Sequence, residues 1–406
     1  MRRPPARADV YVGGSAPRRR FPWPIVAAVA VIALVAVFAI AKPFAAPPAG
    51  GEGAAGDGGG EGSQPAAVSD VAAEPVTFTV SFAGDCTLGT DESFDYATSL
   101  NARYEAEGDP AYFFRNVEGI FAADDLTVVN MEGTLTESTA RQDKTFAFKG
   151  PADFAQVLVA GDVEAASMAN NHSEDYGEQS YTDTVETLRA AGIQPFGYDD
   201  IAYLDVKGVK VALVGTYELA EHEGIEESMV ANIQRARSEG AQVVLVYIHW
   251  GVEREYVPNE VQMQLGHAAI DAGADLVVGS HPHVIQGYEV YQGRYIVYSL
   301  GNFCFGGNSG PSDMDCMIFQ QTFTVVDGQA QTDGAVNVIP CSISSESSYN
   351  NYQPTPAEGD EAERIMAKIE ESSDAIAQMA ASMTGQSADE AGTSDAGRAE
   401  SGETTE

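Results

Sequence analysis

Residues 275–283 read DLVVGSHPH, an apolar run that ends in two histidines separated by one proline. The apolar part is typical of a strand buried on both faces of a sheet, and the histidines follow its carboxyl end. Two imidazoles this close together are candidate metal ligands. If His281 and His283 bind a metal, other ligands should follow the carboxyl ends of other strands.

Several other apolar runs also end in polar side chains. The runs VSFAGD, LTVVNME, EAASMANNH and VVLVYIH end in Asp85, Asn130, Glu132, Asn171, His172 and His249. Because ligands of open α/β sheets bind outside the carboxyl ends of the strands, these side chains are expected to share one crevice. Each residue alone is compatible with a turn, a cap or ordinary packing, and His222 and His267 are interpreted as packing residues.

The expected ligand set contains imidazoles, carboxylates and an amide oxygen, and it contains no sulfur. This mixture suits Zn²⁺, Mn²⁺ or Fe²⁺ better than Ca²⁺ or a thiolate zinc site. It is large enough for one or two ions, and paired ions about 3.5–4 Å apart assist displacement at phosphorus or at a carbonyl group.

Strand-like and helix-like segments alternate between residues 76 and 345, and hairpin-like pieces follow residue 284. This order predicts one α/β domain over 76–345, with a largely parallel or mixed sheet and a later antiparallel part. Residues 346–406 are predicted to be an acidic tail, partly disordered and solvated, with helical character over 361–383.

The N-terminal region is predicted to anchor the domain to a membrane. Residues 1–24 carry six arginines and one aspartate, and residues 25–41 are all apolar. We interpret 1–24 as a cytoplasmic basic tail and 25–42 as a single transmembrane helix that leaves the domain outside the cytoplasm. A cleaved signal peptide is the alternative. Residues 43–75 are rich in Gly, Ala and Pro and predict a flexible linker.

The formal net charge of −38 excludes a nucleic-acid-binding surface, which needs clustered Lys and Arg. An anionic partner would have to be held by a local device such as a metal ion. The four cysteines are Cys86, Cys304, Cys316 and Cys341, and they show no metal-thiolate spacing. A Cys86–Cys304 disulfide, a Cys304–Cys316 disulfide and buried free thiols all remain open.

The motifs FAGDCTLG, VVNMEGTLT, FKGP, ANNHSEDYG, YIHWGVE, GSHPHVIQ and YSLGNFCF occur in this order between residues 78 and 306. In these motifs the chain resembles the CapA family of poly-γ-glutamate capsule biosynthesis, which is in turn similar to calcineurin-like metallophosphoesterases. The resemblance implies a four-layer αββα sandwich. It also implies a metal centre of one or two divalent ions held by Asp85, Glu132, Asn171, His249, His281 and His283. His172 would then be the catalytic acid that protonates a leaving group.

The chain departs from the metallophosphoesterase pattern at two places. Thr87 stands where the DxH motif has its histidine, and the bridging acid is Glu132 in NMEG rather than an aspartate. The first metal position is therefore weakened. Lys149 in FKGP is a predicted substrate-binding residue, and Glu253 in HWGVE is predicted to orient His249 or the following helix.

By resemblance, the protein acts in synthesis or export of poly-γ-glutamate or a similar anionic polymer, together with membrane synthetase subunits. Its metal centre would hydrolyse a phosphoester or acyl bond. Two alternatives are a non-catalytic accessory subunit that binds polymer and a general cell-envelope metallophosphoesterase.

Overall fold

The computed structural model describes residues 74–332 and 334–384. The predicted basic tail at 1–24, the anchor at 25–42 and nearly all of the linker at 43–75 lie outside these residues. Within the described ranges, no helix combines the length and the apolar character needed to cross a bilayer.

The described residues form seventeen strands, seven α-helices and four short 3₁₀-helices. In chain order the strands are β1 Val76–Thr87, β2 Leu126–Met131, β3 Thr134–Leu135, β4 Lys149–Gly150, β5 Ala165–Ser167, β6 Gln194–Phe196, β7 Ala202–Val206, β8 Val209–Tyr217, β9 Val243–His249, β10 Leu276–Ser280, β11 Ile285–Tyr291, β12 Arg294–Leu300, β13 Asn302–Phe305, β14 Asp315–Val326, β15 Gln329–Ala330, β16 Val336–Ser342 and β17 Thr355–Pro356. The helices are α1 Leu100–Glu107, α2 Glu118–Phe121, α3 Ala155–Ala160, α4 Glu178–Ala190, α5 Glu226–Ser238, α6 Glu260–Asp271 and α7 Gly359–Thr384.

Two large sheets organise these strands. The first has the order β17-β16-β14-β1-β2-β5-β6, with β13 paired to β1 and β15 paired to β14. The second has the order β11-β12-β10-β9-β8-β7. The strands β1, β2, β5 and β6 run parallel, as do β8, β9, β10 and β12, whereas the hairpin strands that follow β10 add the predicted antiparallel part.

The sheets pack face to face, and helices cover their outer faces. Side chains of both sheets form the core between them, including Phe82, Val128, Leu245, Val278 and Phe319. A second core joins the first sheet to α1, α3 and α4, and a third joins the second sheet to α5 and α6. The layers are therefore αββα. The predicted α/β class is confirmed, and the layer order agrees with the one implied by the resemblance.

The folded domain continues past the predicted boundary at residue 345. β17 pairs with β16, and α7 buries Ile365, Ile369 and Ile376. These isoleucines share one face of the helix because they are spaced near multiples of a helical turn, so α7 docks despite its acidic composition. The prediction of a helix over 361–383 agrees with α7, but residues 346–384 are not a solvated tail. Residues 385–406 lie outside the described ranges.

Candidate metal centre

The carboxyl ends of strands from both sheets meet at one buried place. Asp85 lies near the end of β1, and Glu132 follows the last residue of β2. From the other sheet, His249 is the last residue of β9, and His281 follows β10. The Nε2 atom of His249 lies 3.7 Å from Oε1 of Glu132. Side chains far apart in the chain are thus brought together, as the strand-end pattern predicts.

The converging side chains form two groups that share one carboxylate. Glu132, His249 and His281 place ligand atoms within 4.8 Å of one another, and so do Asp85, Glu132 and His283. Glu132 therefore stands between two candidate metal positions. His281 belongs to one group and His283 to the other, although only Pro282 separates them.

Two buried atoms in these groups have no hydrogen-bond partner among the described residues: Oε1 of Glu132 and Nδ1 of His281. An unpaired polar atom inside a protein costs about 1–3 kcal/mol. Carboxylate oxygen and imidazole nitrogen are also ligand atoms of Zn²⁺, Mn²⁺ and Fe²⁺. The donor set therefore fits a divalent ion, which would satisfy both atoms.

Neighbouring amides and a hydroxyl hold the ligand side chains in place. Asn130 Nδ2 donates to Asp85 Oδ1 at 2.8 Å. Nδ1 of His249 lies 3.0 Å from Ser280 Oγ. Nε2 of the same ring lies 2.8 Å from Oδ1 of Asn171, and this contact joins two predicted ligand atoms. The Nδ1 of His283 lies 2.9 Å from Asn302 Oδ1. Contacts of this kind orient metal ligands in proteins.

Burial and mutual repulsion shift the ionisation of the cluster. Burial, with the charge of Asp85 adding to it, raises the pKa of Glu132 to about 8. Burial and the adjacent His283 lower the pKa of His281 to about 3. Burial would lower the pKa of His283, but the carboxylates of Glu132 and Asp85 raise it to about 10. The carboxylate part of the centre therefore favours added positive charge, which a divalent ion supplies, whereas His281 is neutral and keeps a nitrogen lone pair that can bind a metal.

His172 lies beside this cluster and lines a cavity together with His283. Its Nδ1 atom is 2.7 Å from Asp175 Oδ2, and its ring is 4.7 Å from the ring of Phe148. Burial lowers the pKa of His172, and the hydrogen bond with Asp175 opposes that effect. The geometry is that of a histidine held in one orientation by a carboxylate. Its role as a general acid stays a prediction.

Lys149, predicted to bind substrate, does not line the cavity that contains His172. Its Nζ atom donates to the carbonyl oxygen of Ser138 at 2.9 Å and lies 4.5 Å from the centre of the Tyr176 ring. The lysine that reaches the site is Lys144, whose Nζ is 2.6 Å from Asp175 Oδ1.

The two departures from the metallophosphoesterase pattern, Thr87 and Glu132, contact each other. Oγ1 of Thr87 donates to Oε2 of Glu132 at 3.4 Å, so threonine supports the shared carboxylate. Glu253 is exposed and lines the cavity, and it makes no hydrogen bond to His249. The predicted orienting role of Glu253 toward His249 is therefore not part of this structure.

The two remaining histidines lie outside the ligand groups. His267 stacks on Tyr291 with ring centres 3.9 Å apart, and its Nε2 is 2.7 Å from Glu289. His222 contacts Glu218 at 2.6 Å. His267 is therefore a packing residue, as the sequence indicates, whereas His222 is exposed and its ring forms a polar contact only with this carboxylate among the described residues.

Four polar residues of the site are absent from the ligand and catalytic residues predicted from sequence: Lys144, Asp175, Ser280 and Asn302. Asp175 stands three residues after His172 in NNHSEDYG, a spacing that allows contact within one turn. Asn302 lies two residues after the end of β12, in SLGNF. A polar residue at the end of a further strand could have been predicted to join the site. Lys144 lies in the loop before β4, and no periodic pattern marks it.

Residues 79–307 match the sequence profile of the family described as "Bacterial capsule synthesis protein PGA_cap", and this is more than half of the chain. The chain belongs to this family. The matched region contains every member of both ligand groups, whereas α7 lies beyond it. The resemblance to CapA proteins is thereby confirmed.

Two relatives illustrate the similarity within the PGA_cap family. The "PGA biosynthesis protein CapA" of Bacillus subtilis (strain 168) is 32% identical over 249 residues, which are 56% of this chain and 63% of that protein. The "Capsule biosynthesis protein CapA" of Bacillus anthracis is 27% identical over 253 residues, 56% of this chain and 59% of that protein. The chain thus spans less than two thirds of either relative.

Among solved structures, the 5'-nucleotidase from Candida albicans SC5314 aligns with a TM-score of 0.39 and 11% identity. The alignment covers 72% of this chain and 56% of the nucleotidase.

Proposed function

We propose that this protein acts in the synthesis or export of poly-γ-glutamate or a similar anionic capsule polymer, through a divalent-metal centre. The names of the two Bacillus relatives support the capsule role. The observation that carries the metal centre is Glu132, shared by both ligand groups and left with an unpaired buried oxygen.

Asn171, His249, His281 and Glu132 would hold one ion, and Asp85, Glu132 and His283 would hold the other. Mn²⁺, Zn²⁺ and Fe²⁺ suit these donors. Ions bound there supply positive charge that polarises a phosphoryl or carbonyl group and lowers the pKa of water. The reaction class would be hydrolysis of a phosphoester or acyl bond.

The chain's own contribution to such a reaction centres on His172. Because Asp175 engages Nδ1, Nε2 is the nitrogen available to carry a proton for a leaving group. Phe148 covers one side of the imidazole and limits the access of water. Lys144 neutralises Asp175, so the carboxylate can orient the ring without adding net charge to the cavity.

The test is metal analysis and phosphodiester turnover of the full-length chain, with variants Glu132→Gln and His172→Ala. Wild-type protein should bind a divalent ion and melt at a higher temperature when loaded. Glu132→Gln should lose the ion and the shift in melting temperature. His172→Ala should keep both and lose turnover by about 10²- to 10⁴-fold. His267→Gln, a histidine outside the centre, is the matched control.

Wild-type protein that binds none of the three ions would contradict the metal centre. Normal metal binding without turnover on phosphodiester or acyl substrates would favour the second candidate, a non-catalytic accessory subunit that binds polymer. Thr87 favours that candidate, because the threonine replaces a metal-binding histidine and instead hydrogen bonds to Glu132.

The proposal places the domain outside the cytoplasm, tethered by residues 25–42 and beside membrane synthetase subunits. The apolar run and its arginine-rich flank support this placement. Full-length protein should sediment with membranes, and a variant lacking residues 25–42 should not. Protease added to intact cells whose wall has been removed should cleave the domain. Complete protection of the domain would contradict the proposed orientation.

A further inference from the structure

The cavity beside the metal centre contains a free guanidinium group. Arg254 is exposed and lines this cavity with His172 and His283. Every other lysine and arginine within residues 74–332 and 334–384 has a hydrogen-bond or ion-pair partner. In the same described region, Arg254 has none for its side chain. Arg254 therefore faces the candidate site without an ion pair, although the chain as a whole is strongly acidic.

The backbone holds Arg254 beside the turn that carries the two histidine ligands. Its N–H donates to the carbonyl oxygen of Pro282 at 2.8 Å. Its φ angle of 66° is in the left-handed region, which an arginine rarely adopts without such a constraint. The position of the residue is therefore set by the metal-centre turn, although its side chain is exposed.

An aromatic wall lines the same cavity. Phe146 lies between Phe94 and Phe148, with ring centres 5.5 Å and 6.3 Å away. Phe148 in turn contacts His172. Phe146 is 44% exposed, so its ring is accessible to a ligand in the cavity. The wall runs from the surface to His172.

Two acids also line the cavity and restrict where an anion can sit. Asp313 is matched by Lys368 at 2.9 Å. Glu253 has no cation partner among the described residues and adds negative charge near His283. An anionic group in this cavity is therefore expected next to Arg254, away from Glu253.

We propose that Arg254 and the aromatic wall of Phe94, Phe146 and Phe148 form a substrate-recognition subsite. Arg254 binds an anionic oxygen group, a carboxylate or a phosphate, through its planar pair of N–H donors. The aliphatic segment next to that group packs on Phe146 and Phe148. This inference rests on the proposed function, because it treats the cavity as the place where substrate binds.

Calorimetric titration of the Mn²⁺-treated full-length chain tests the subsite. The probes are a γ-linked glutamate tetramer, the same tetramer with its carboxyl groups amidated, and inorganic phosphate. Arg254→Gln should weaken binding of the anionic tetramer, or of phosphate, by at least about tenfold. Arg254→Lys should recover part of that loss. Phe146→Ala should weaken binding of the tetramer by about three- to tenfold and leave binding of phosphate unchanged.

Arg189→Gln is the matched control, because it removes one exposed guanidinium on α4 whose nearest acid is 3.9 Å away. It should leave binding within about twofold of wild type. Binding of the tetramer alone identifies the anion as carboxylate, and binding of phosphate alone identifies it as phosphate. Wild-type protein that binds neither probe, or Arg254→Gln that binds both normally, would overturn the subsite.

Metal content measured on the same samples separates this inference from the proposed function. Arg254→Gln should keep the wild-type metal content, because Arg254 belongs to neither ligand group. An Arg254 effect in protein that binds no metal would support the subsite and contradict the metal centre. Normal metal content without an Arg254 effect would overturn the subsite and leave the metal centre standing.

Discussion

The turn that carries the two candidate histidine ligands has a strained backbone. His281 and His283 have φ angles of 96° and 57°, in the region that favours glycine. Such residues cost about 1–3 kcal/mol each and persist where their surroundings impose the conformation. The N–H of His281 donates to Asp85 Oδ2 at 3.3 Å, which helps to impose it. The turn places the rings 5.7 Å apart, so that each reaches a different ligand group.

Asp175 is a positioning residue for His172, and Asp175→Asn should lower turnover by at least about tenfold. An amide cannot hold the imidazole through a charge-assisted hydrogen bond, and it removes the ion pair of Lys144, which keeps its hydrogen bond to the carbonyl oxygen of Asn171. Metal content should not change, because Asp175 is not among the ligand groups. Turnover and metal content are measured on the same preparation.

The double variant distinguishes positioning from a structural role. In a His172→Ala background, Asp175→Asn should cause little further loss of turnover, because the group that it orients is gone. An equal loss in both backgrounds would mean that Asp175 acts on the fold and not through His172.

At the scale of elements, α7 is joined to the edge strand β11 by both apolar and polar contacts. Ser372 Oγ accepts from the N–H of Gly287 at 2.8 Å, and Ser373 Oγ accepts from the N–H of Tyr288 at 3.1 Å. A side chain at Gly287 would overlap Ser373. Hydroxyl groups of the helix thus satisfy N–H groups of a strand that has only one strand partner.

Ile369→Ala should lower the free energy of unfolding by about 2–4 kcal/mol, because Ile369 is buried against the second sheet. Glu370→Ala, one position along on the exposed side of α7, should change it by less than about 0.5 kcal/mol. Both are measured by chemical denaturation of the full-length chain. Equal, small effects would show that α7 does not dock in solution.

Two carboxyl groups at the amino-terminal ends of β2 and β5 should make stability depend on pH. Burial raises the pKa of Asp124 to about 6 and that of Glu164 to about 7. The folded state therefore binds protons more tightly than the unfolded chain, and stability falls as pH rises from about 4 to about 7.

Glu164→Gln removes one of these ionisations, while the amide oxygen can still accept from the N–H of Thr127. The free energy of unfolding of the variant minus that of wild type should be about 1 kcal/mol larger at pH 8 than at pH 4.5. This value is reduced to allow for the partial solvent exposure of Glu164. Glu186→Gln, on an exposed face of α4, is the control. A difference that does not vary with pH would contradict the prediction.

At the scale of the whole molecule, the chain combines a net charge of −38 with a site suited to anions. General electrostatics repels a polyanion, so recognition must be local. The positive charge available at the site comes from Arg254 and from the ions that the cluster fits. A binding mode confined to one cavity suits an end or a single unit of a polymer better than an extended stretch.

The four cysteines should behave as buried thiols. All four are free and buried, and burial raises the pKa of Cys86 to about 12. Thiol reagent should label none of them in the native protein and all four in guanidinium, without prior reduction. Labelling of only two cysteines in guanidinium would indicate a disulfide. Cys316 and Cys341 are paired across β14 and β16, so mass mapping would examine that pair first.

The convergence of the candidate ligands was predictable because strand periodicity and residue chemistry both mark them, and their binding of a metal stays a prediction. Asp85, His249 and His281 each stand at the end of an apolar run, and parallel strands bring such ends to one edge. Lys149 contacts Ser138 and Tyr176 in this structure, contacts that its motif does not indicate, and its role in substrate binding stays a prediction. The predicted domain boundary at residue 345 is too early. The acidic composition of the C-terminal region indicated a solvated tail, although three isoleucines of α7 share one face of the helix.

The sequence by itself determined the α/β class, the family and the strand-end positions of the candidate ligands, since these depend on local patterns and on residue types in order. Only the tertiary structure decided that Glu132 is shared between two groups, that Lys144 contacts Asp175, and that the Arg254 side chain has no partner among the described residues. These facts depend on the packing of one sheet against another, and distances between strands from different sheets leave no periodic trace along the chain.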